Sequence, residues 1–186
     1  MPELAQRCSE IQPFYAVEVF KKGAALIAQG HDIISLGIGE PDFTAPAQVV
    51  ETLNRASSAG LSGYTPPLGL APLREAIAHY YGEEFGARVK PERVIVTSGA
   101  SGALLLACTA LINPGTEILM PDPSYPANQN FIRCAGGRPK LIPCGPEQQF
   151  QLTANDIERH WIRAVSLLLR PATPLAHAFC SLNSRS

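Results

Sequence analysis

Arg93-Val94-Ile95-Val96-Thr97-Ser98-Gly99-Ala100-Ser101-Gly102-Ala103-Leu104 is the stretch on which the fold turns. A β-branched apolar run ends in a cluster of small residues, and an apolar helical pattern, Ala100 to Ile112, follows at once. The rhythm then repeats. Glu117 to Met120 and Lys140 to Pro143 are further short apolar runs at a spacing of about 23 residues, with a helical stretch, Ser124 to Ala135, between them. Strand, helix, strand, helix, strand at this spacing implies right-handed crossovers and a mostly parallel sheet buried on both faces. The predicted class is α/β.

Towards the N-terminus the pattern is helical. Val17, Phe20, Ala24 and Ile27 recur at three- and four-residue steps between Pro13 and Gly30, predicting an amphipathic helix. Ile33 to Leu36 reads as a short strand and Pro46 to Ala59 as a second helix, with Gly60 past its end. A third helix places Leu70, Leu73, Ile77, Tyr80 or Tyr81, and Phe85 on one face. Towards the C-terminus, Gln151 to Trp161 reads as a helix that Thr153 caps, with Ile157 and Trp161 sharing a face. Ile162 to Leu169 is compatible with a strand. Arg170 to Ser186 has neither a helical nor a strand period.

Composition narrows the function classes. The 186 residues are 46% hydrophobic, enough for a core, and their formal net charge of -1 gives no electrostatic case for nucleic acid. The 15 glycines and 17 prolines exceed the usual share and mark enforced turns. No apolar run approaches the length of a membrane span, and Met1-Pro2-Glu3-Leu4 lacks the basic and apolar regions of a signal peptide. The expected setting is cytoplasmic, without membrane or nucleic-acid partners. Cys8, Cys108, Cys134, Cys144 and Cys180 are odd in number and scattered, which argues for reduced thiols. His31, His79, His160 and His177 are isolated, so no metal site is expected.

Four loops are candidates for chemistry. Thr97 to Ala103 joins a strand to a helix through small residues, so backbone N–H groups and a helix dipole can face a phosphate; a tight packing turn is the equal alternative. The helix after it is apolar on every side and is expected to be buried. Pro121-Asp122-Pro123-Ser124-Tyr125-Pro126 follows the next strand, where ligands of parallel sheets sit. Tyr125 there is either a stacking surface for a planar ring or a packed turn residue. The loops around Gly39 and Tyr64 carry weight only if all four converge.

Six motifs taken in order resemble the class I/II aminotransferases. They are Gly37-Ile38-Gly39-Glu40-Pro41-Asp42-Phe43, Gly63-Tyr64-Thr65-Pro66-Pro67-Leu68-Gly69, Leu73-Arg74-Glu75-Ala76-Ile77, Thr97 to Leu104, Asn113-Pro114-Gly115-Thr116-Glu117 and Pro121 to Pro126. The resemblance runs from Ile11 to Trp161. It implies a pyridoxal-phosphate enzyme of fold type I, moving an amino group between an amino acid and a 2-oxo acid, and homodimeric. It implies that Gly99, Ala100 and Ser101 grip the cofactor phosphate and that Tyr125 stacks on its ring. It further implies that Gly39 meets the substrate carboxylate and that Tyr64 reaches the cofactor phosphate of the partner subunit. A lyase of the same fold and a non-catalytic cofactor-binding or interaction module are the alternatives.

The departures lie downstream. The family's Asn-Pro-x-Gly motif, pyridine-nitrogen aspartate, Schiff-base lysine and carboxylate arginine are not found. Lys21, Lys22, Lys90 and Lys140 are the only lysines, and none stands in the family's serine-flanked motif. The expectation is a partial three-layer fold, the truncated large domain of an enzyme whose relatives are more than twice as long, inactive alone and of marginal stability. The expected divisions are 1–45 as arm and interface helix, 46–161 as the amino-terminal part of the cofactor domain, and 162–186 as an aberrant tail. Ala172-Thr173-Pro174-Leu175-Ala176-His177 can be coded GCA ACC CCA CTG GCA CAC. Read from the last base of the alanine codon, this gives AAC CCC ACT GGC ACA, or Asn-Pro-Thr-Gly-Thr. A tail out of frame from a shift between Trp161 and Arg170 is therefore expected; a natural truncation or an unrelated terminal exon is the alternative. A gene with no nearby frame encoding that motif would remove the expectation.

Overall fold

The computed structural model describes residues 3–37, 39, 41–60, 63–161 and, by backbone alone, 165–173 and 176–180. Ile38, Glu40 and Ser62 of the motif loops, and 162–164, 174–175 and 181–186 of the tail, lie outside the described residues. The chain divides into two compact units, Met1–Phe14 with Ser98–Ser186, and Tyr15–Thr97.

The first unit is built on β1 (Glu117–Asp122). It is flanked on either side by β2 (Arg138–Pro143) and β3 (Val165–Thr173), both parallel to it, and β4 (Ala176–Cys180) adds an antiparallel edge. Ile118, Leu119 and Met120 are fully buried, as a central parallel strand requires. The two-residue period sorts them by face. Ile118 and Met120 meet Leu104, Cys108 and Ile112 from α4 (Gly99–Leu111) and its C-cap, and Ile132 from α5 (Ala127–Cys134). Leu119 meets Ile142, Cys144 and Leu152 on the other face, where Ile157 of α6 (Ala154–His160) and Trp161 also pack. Helices, sheet and α6 make three layers. Burial pushes the Cys108 thiol up to about 11, with Cys134 adding to it, and burial is also the main cause that raises Cys144. Both behave as small apolar side chains rather than nucleophiles.

The cap on α6 is as expected. Thr153 Oγ1 accepts from Asp156 N at 3.2 Å, while one Asp156 carboxylate oxygen receives Thr153 N at 3.0 Å, Thr153 Oγ1 at 2.6 Å and Gln148 Nε2 at 3.1 Å. The hydrogen bonds from Thr153 hold the Asp156 carboxyl below its ordinary range. Its contribution to stability is therefore present above the unfolded carboxyl value of about 3.9 and is lost as pH falls through the folded one. Thr153→Ala is expected to cost about 1 kcal/mol at neutral pH. It should also flatten the acid limb of a urea-unfolding series, and an unchanged limb would contradict the cap's role.

Four expectations need correction. First, Arg93–Thr97 is not a strand of the sheet: Pro91–Arg93 is a 3-10 turn, and 94–97 takes no part in the ladder. These residues belong to the Tyr15–Thr97 unit, whereas the ladder lies in the other unit. Second, Ile33–Leu36 forms no strand either. Third, α4 is buried on one side only: Leu104 and Cys108 face the core, whereas Leu105, Leu106 and Leu111 are about half exposed. The tail also differs from the reading of its sequence, since backbone pairing continues through Thr173 and resumes at Ala176.

The second unit contains α1 (Tyr15–Ala28), α2 (Ala47–Ser58) and α3 (Ala71–Phe85), none of which has a fully buried residue. The apolar side of α1 borders a groove of about 200 Å³ shared with Ile33–Gly37. Arg74 is the staple of this unit. Its Nε donates to Gly69 O and its Nη1 to Pro91 O, each at 3.1 Å, so the turn before α3 and the 3-10 turn after it are tied together. Val96 N adds a bond to Leu68 O at 3.0 Å.

Candidate functional site

The first turn of α4 is the small-residue cluster singled out by sequence. Gly99 has φ +67, a left-handed conformation that favours glycine, and open space where a Cβ would stand. Ser98, Gly99, Ala100 and Ser101 are all exposed, and the Ser98 side chain makes no cap hydrogen bond to the helix. The backbone N–H groups of a first helical turn lack intrahelical acceptors and point along the axis, at the positive end of the helix dipole.

Connectivity sets where this turn lies relative to Tyr125. With 13 residues, α4 is about 20 Å long. With six residues, β1 is also about 20 Å long. The helix packs on the strand and runs back along it, so α4 begins at the edge where β1 ends. Tyr125 leaves β1 at that edge, after a cis peptide between Asp122 and Pro123. Its ring is 44% exposed and meets the Phe14 ring edge-on, with centroids 5.5 Å apart and planes at 66°. Its carbonyl accepts from Asn128 N at 3.1 Å, fixing the entry to α5. Asn128 itself is buried, and its Oδ1 has no donor among the described residues.

An exposed turn of small residues at a helix N-terminus and a half-exposed aromatic ring at the same end of the sheet fit a ligand that carries a phosphate on a planar ring. Gly39 and Tyr64 belong to the other unit, where both are exposed. Sequence reasoning missed Phe14, Gln12 and Asn130, which stand around Tyr125 and its helix. Gln12 and Asn130 are 118 positions apart, and no local pattern links them.

A family model for "Aminotransferase class I and II" matches residues 31–166. The chain belongs to this family. It is 37% identical over 150 residues to the "Probable aspartate/prephenate aminotransferase" of Thermus aquaticus, a match covering 81% of this chain and 39% of that protein. The aspartate aminotransferase of Pyrococcus horikoshii is 34% identical over 154 residues, 83% of this chain and 38% of that one. In structure, the Thermus thermophilus aspartate aminotransferase with maleate has a TM-score of 0.86 at 34% identity, covering 90% of this chain and 44% of that one. The Thermotoga maritima aspartate aminotransferase gives 0.83 at 35% identity, with 89% and 44% covered. The chain spans about two fifths of the length of the relatives it matches. Its fold is that of the amino-terminal portion of the fold type I aminotransferases.

Proposed function

We propose that the chain is the amino-terminal, cofactor-cradling portion of a pyridoxal-phosphate-dependent aminotransferase acting on an amino acid and a 2-oxo acid. The observation that carries the reading is the exposed small-residue first turn of α4 at the end of the sheet where Tyr125 emerges. When bound, the cofactor supplies an electron sink for the substrate's α-carbon. Gly99, Ala100 and Ser101 hold its phosphate through backbone N–H groups and the serine hydroxyl, and Tyr125 stacks on its ring. Gly39 presents backbone to the substrate carboxylate. Tyr64, fully exposed in this chain, reaches the cofactor phosphate held by a second copy in a homodimer. The free thiols of Cys8, Cys108, Cys134 and Cys144 suit a cytoplasmic setting.

Lys21, Lys22, Lys90 and Lys140 lie outside the family's lysine motif, so the 186-residue chain binds the cofactor by phosphate and ring alone and does not transaminate by itself. The family match stops at residue 166, within the interval assigned to a shift of reading frame. Titration with pyridoxine 5′-phosphate, which has no aldehyde to react with surface lysines, tests the site. Binding is expected in the unsubstituted chain, and Ser101→Asp should weaken it at least about tenfold by setting a carboxylate against the phosphate. Equal binding by the two proteins would sink the assignment, and so would an aminotransferase activity of the unaided chain.

A further inference from the structure

A cavity of about 280 Å³ lies within the first unit, between the N-terminal arm and the turn that joins α5 to β2. Arg7 and Glu10 line it from the arm, and Arg133 and Arg138 line it from the turn. Three arginines of a chain whose net charge is -1 thus border one small space, against a single carboxylate. Among the described residues the ion pairs are Lys21–Glu18, His79–Glu83 and Lys140–Glu117, so none of the three arginines has a carboxylate partner there.

The sequence Arg133-Cys134-Ala135-Gly136-Gly137-Arg138 brings two of them together. The helix ends at Cys134, Gly136 takes φ +82, and the N–H groups of Gly136 and Gly137 return to Arg133 O at 2.9 Å and Ile132 O at 3.0 Å. The chain reverses at once, so the last turn of α5 and the first residue of β2 border the same cavity. Gly115 N donates to Gly136 O and Arg138 N to Thr116 O, each at 2.8 Å, which ties this turn to the one before β1. Those backbone N–H groups are all bonded, which leaves the guanidinium N–H groups to hold a ligand. On the other side, Asn130 of α5 pairs with the arm in both directions. Its Nδ2 donates to Gln12 O at 3.1 Å and its Oδ1 accepts from Gln12 N at 3.4 Å, which sets the arm beside the helix.

Like charges around a small concave space repel one another and concentrate a positive potential in it. The dipole at the C-terminal end of α5 favours a cation in the last turn, which accounts for Arg133 but not for Arg7 or Arg138. A tetrahedral dianion can accept from guanidinium forks on different walls, whereas a carboxylate offers its oxygens in one plane. We propose that the cavity binds a phosphate monoester dianion, clamped between Arg7 of the arm and Arg133 and Arg138 of the turn, so that the ligand ties the arm to the body of the unit. The site lies at the start of β1, the opposite end of that strand from the first turn of α4, and it does not depend on what that turn binds.

The test uses the full 186-residue chain carrying Ser101→Asp, so that phosphate is kept from the α4 turn. Inorganic phosphate, a dianion at about pH 8, should bind and should slow tryptic cleavage after Arg7 at least about fivefold, while cleavage after Lys22 of α1 is unaltered. Arg133→Gln and Arg138→Gln should each weaken binding at least about fivefold, and Glu10→Gln should tighten it about threefold. Arg133→Lys keeps the charge and should regain most of what glutamine loses. Succinate, of equal charge but with planar ends, should bind at least about fivefold more weakly than phosphate. Phosphate binding that survives both glutamine substitutions overturns the site, as does a lysine variant that regains nothing, since the loss would then come from a disturbed turn. Equal binding of succinate overturns the phosphate assignment, and equal slowing of cleavage at Arg7 and Lys22 overturns the tie between arm and body.

Discussion

Leu104→Ala is expected to cost about 3 kcal/mol of unfolding free energy, and Leu105→Ala about 1 kcal/mol or less. The two side chains are chemically identical and adjacent on α4, so helix propensity and unfolded-state effects cancel in the comparison. What differs is burial. Leu104 is 4% exposed and lies among Cys108, Ile112, Ile118, Met120 and Ile132, while Leu105 is 43% exposed. Truncating Leu104 removes transfer free energy and leaves a cavity against β1, a strand with no exposed core position to collapse into the gap. Urea unfolding of the two variants, at constant m, reads the difference directly. Equal losses would mean that the outer face of α4 is covered in solution, by a second copy or by another part of the chain. The structure of α4 as a one-sided helix would then be wrong.

Gly69→Ala is the second large effect, about 3 kcal/mol, and it combines two independent penalties. Gly69 has φ +97, where an L side chain is strained, and a Cβ built there would stand 2.5 Å from Val96 Cγ2 and 2.8 Å from Val96 Cβ. The consequences spread through the second unit. Gly69 N donates to Pro66 O at 2.8 Å, Gly69 O accepts from Arg74 Nε, and Leu68 O accepts from Val96 N. Pushing Val96 away strains the last of these bonds directly, while the backbone strain at Gly69 falls on the other two. Amide exchange at Val96 should accelerate in Gly69→Ala, and placing it in a Val96→Ala background should recover about 1 kcal/mol by removing the nearer methyl contact. Additivity of the two substitutions would show that the steric part is absent and that only the backbone strain operates.

Both cases show where sequence reading succeeds and where it stops. The turn at Ser98–Ser101 was legible as a turn because glycine and serine cluster directly before an apolar helical run, although the strand expected ahead of it does not form. The cap by Thr153 was legible because its partner, Asp156, is three residues away and the pattern is local. The buried side of α4 was not legible. Leucine and alanine on every face carry no period, so the sequence states that the helix is apolar and leaves open which side meets the sheet. Arg93–Thr97 misled for a related reason: a β-branched run states what a strand would be made of, but a strand exists only where a neighbour offers a ladder. Arg74 stood inside a recognised motif with no role attached, and its work in tying Gly69 to Pro91 appears only in three dimensions.

By itself, then, the sequence determined the order of the helices, the strands β1 and β2, the α/β class, the small-residue turn at the start of α4 and the family to which the motifs belong. These follow from backbone preferences and short-range hydrogen bonds, which a window of a few residues contains in full. The tertiary structure alone decided which apolar runs pair about β1, which half of α4 is buried, and that Phe14 and Asn130 converge on Tyr125 and its helix. Those outcomes depend on contacts between residues as much as 118 positions apart. Such contacts form only where burial and hydrogen bonding offset the entropy of closing the chain between them.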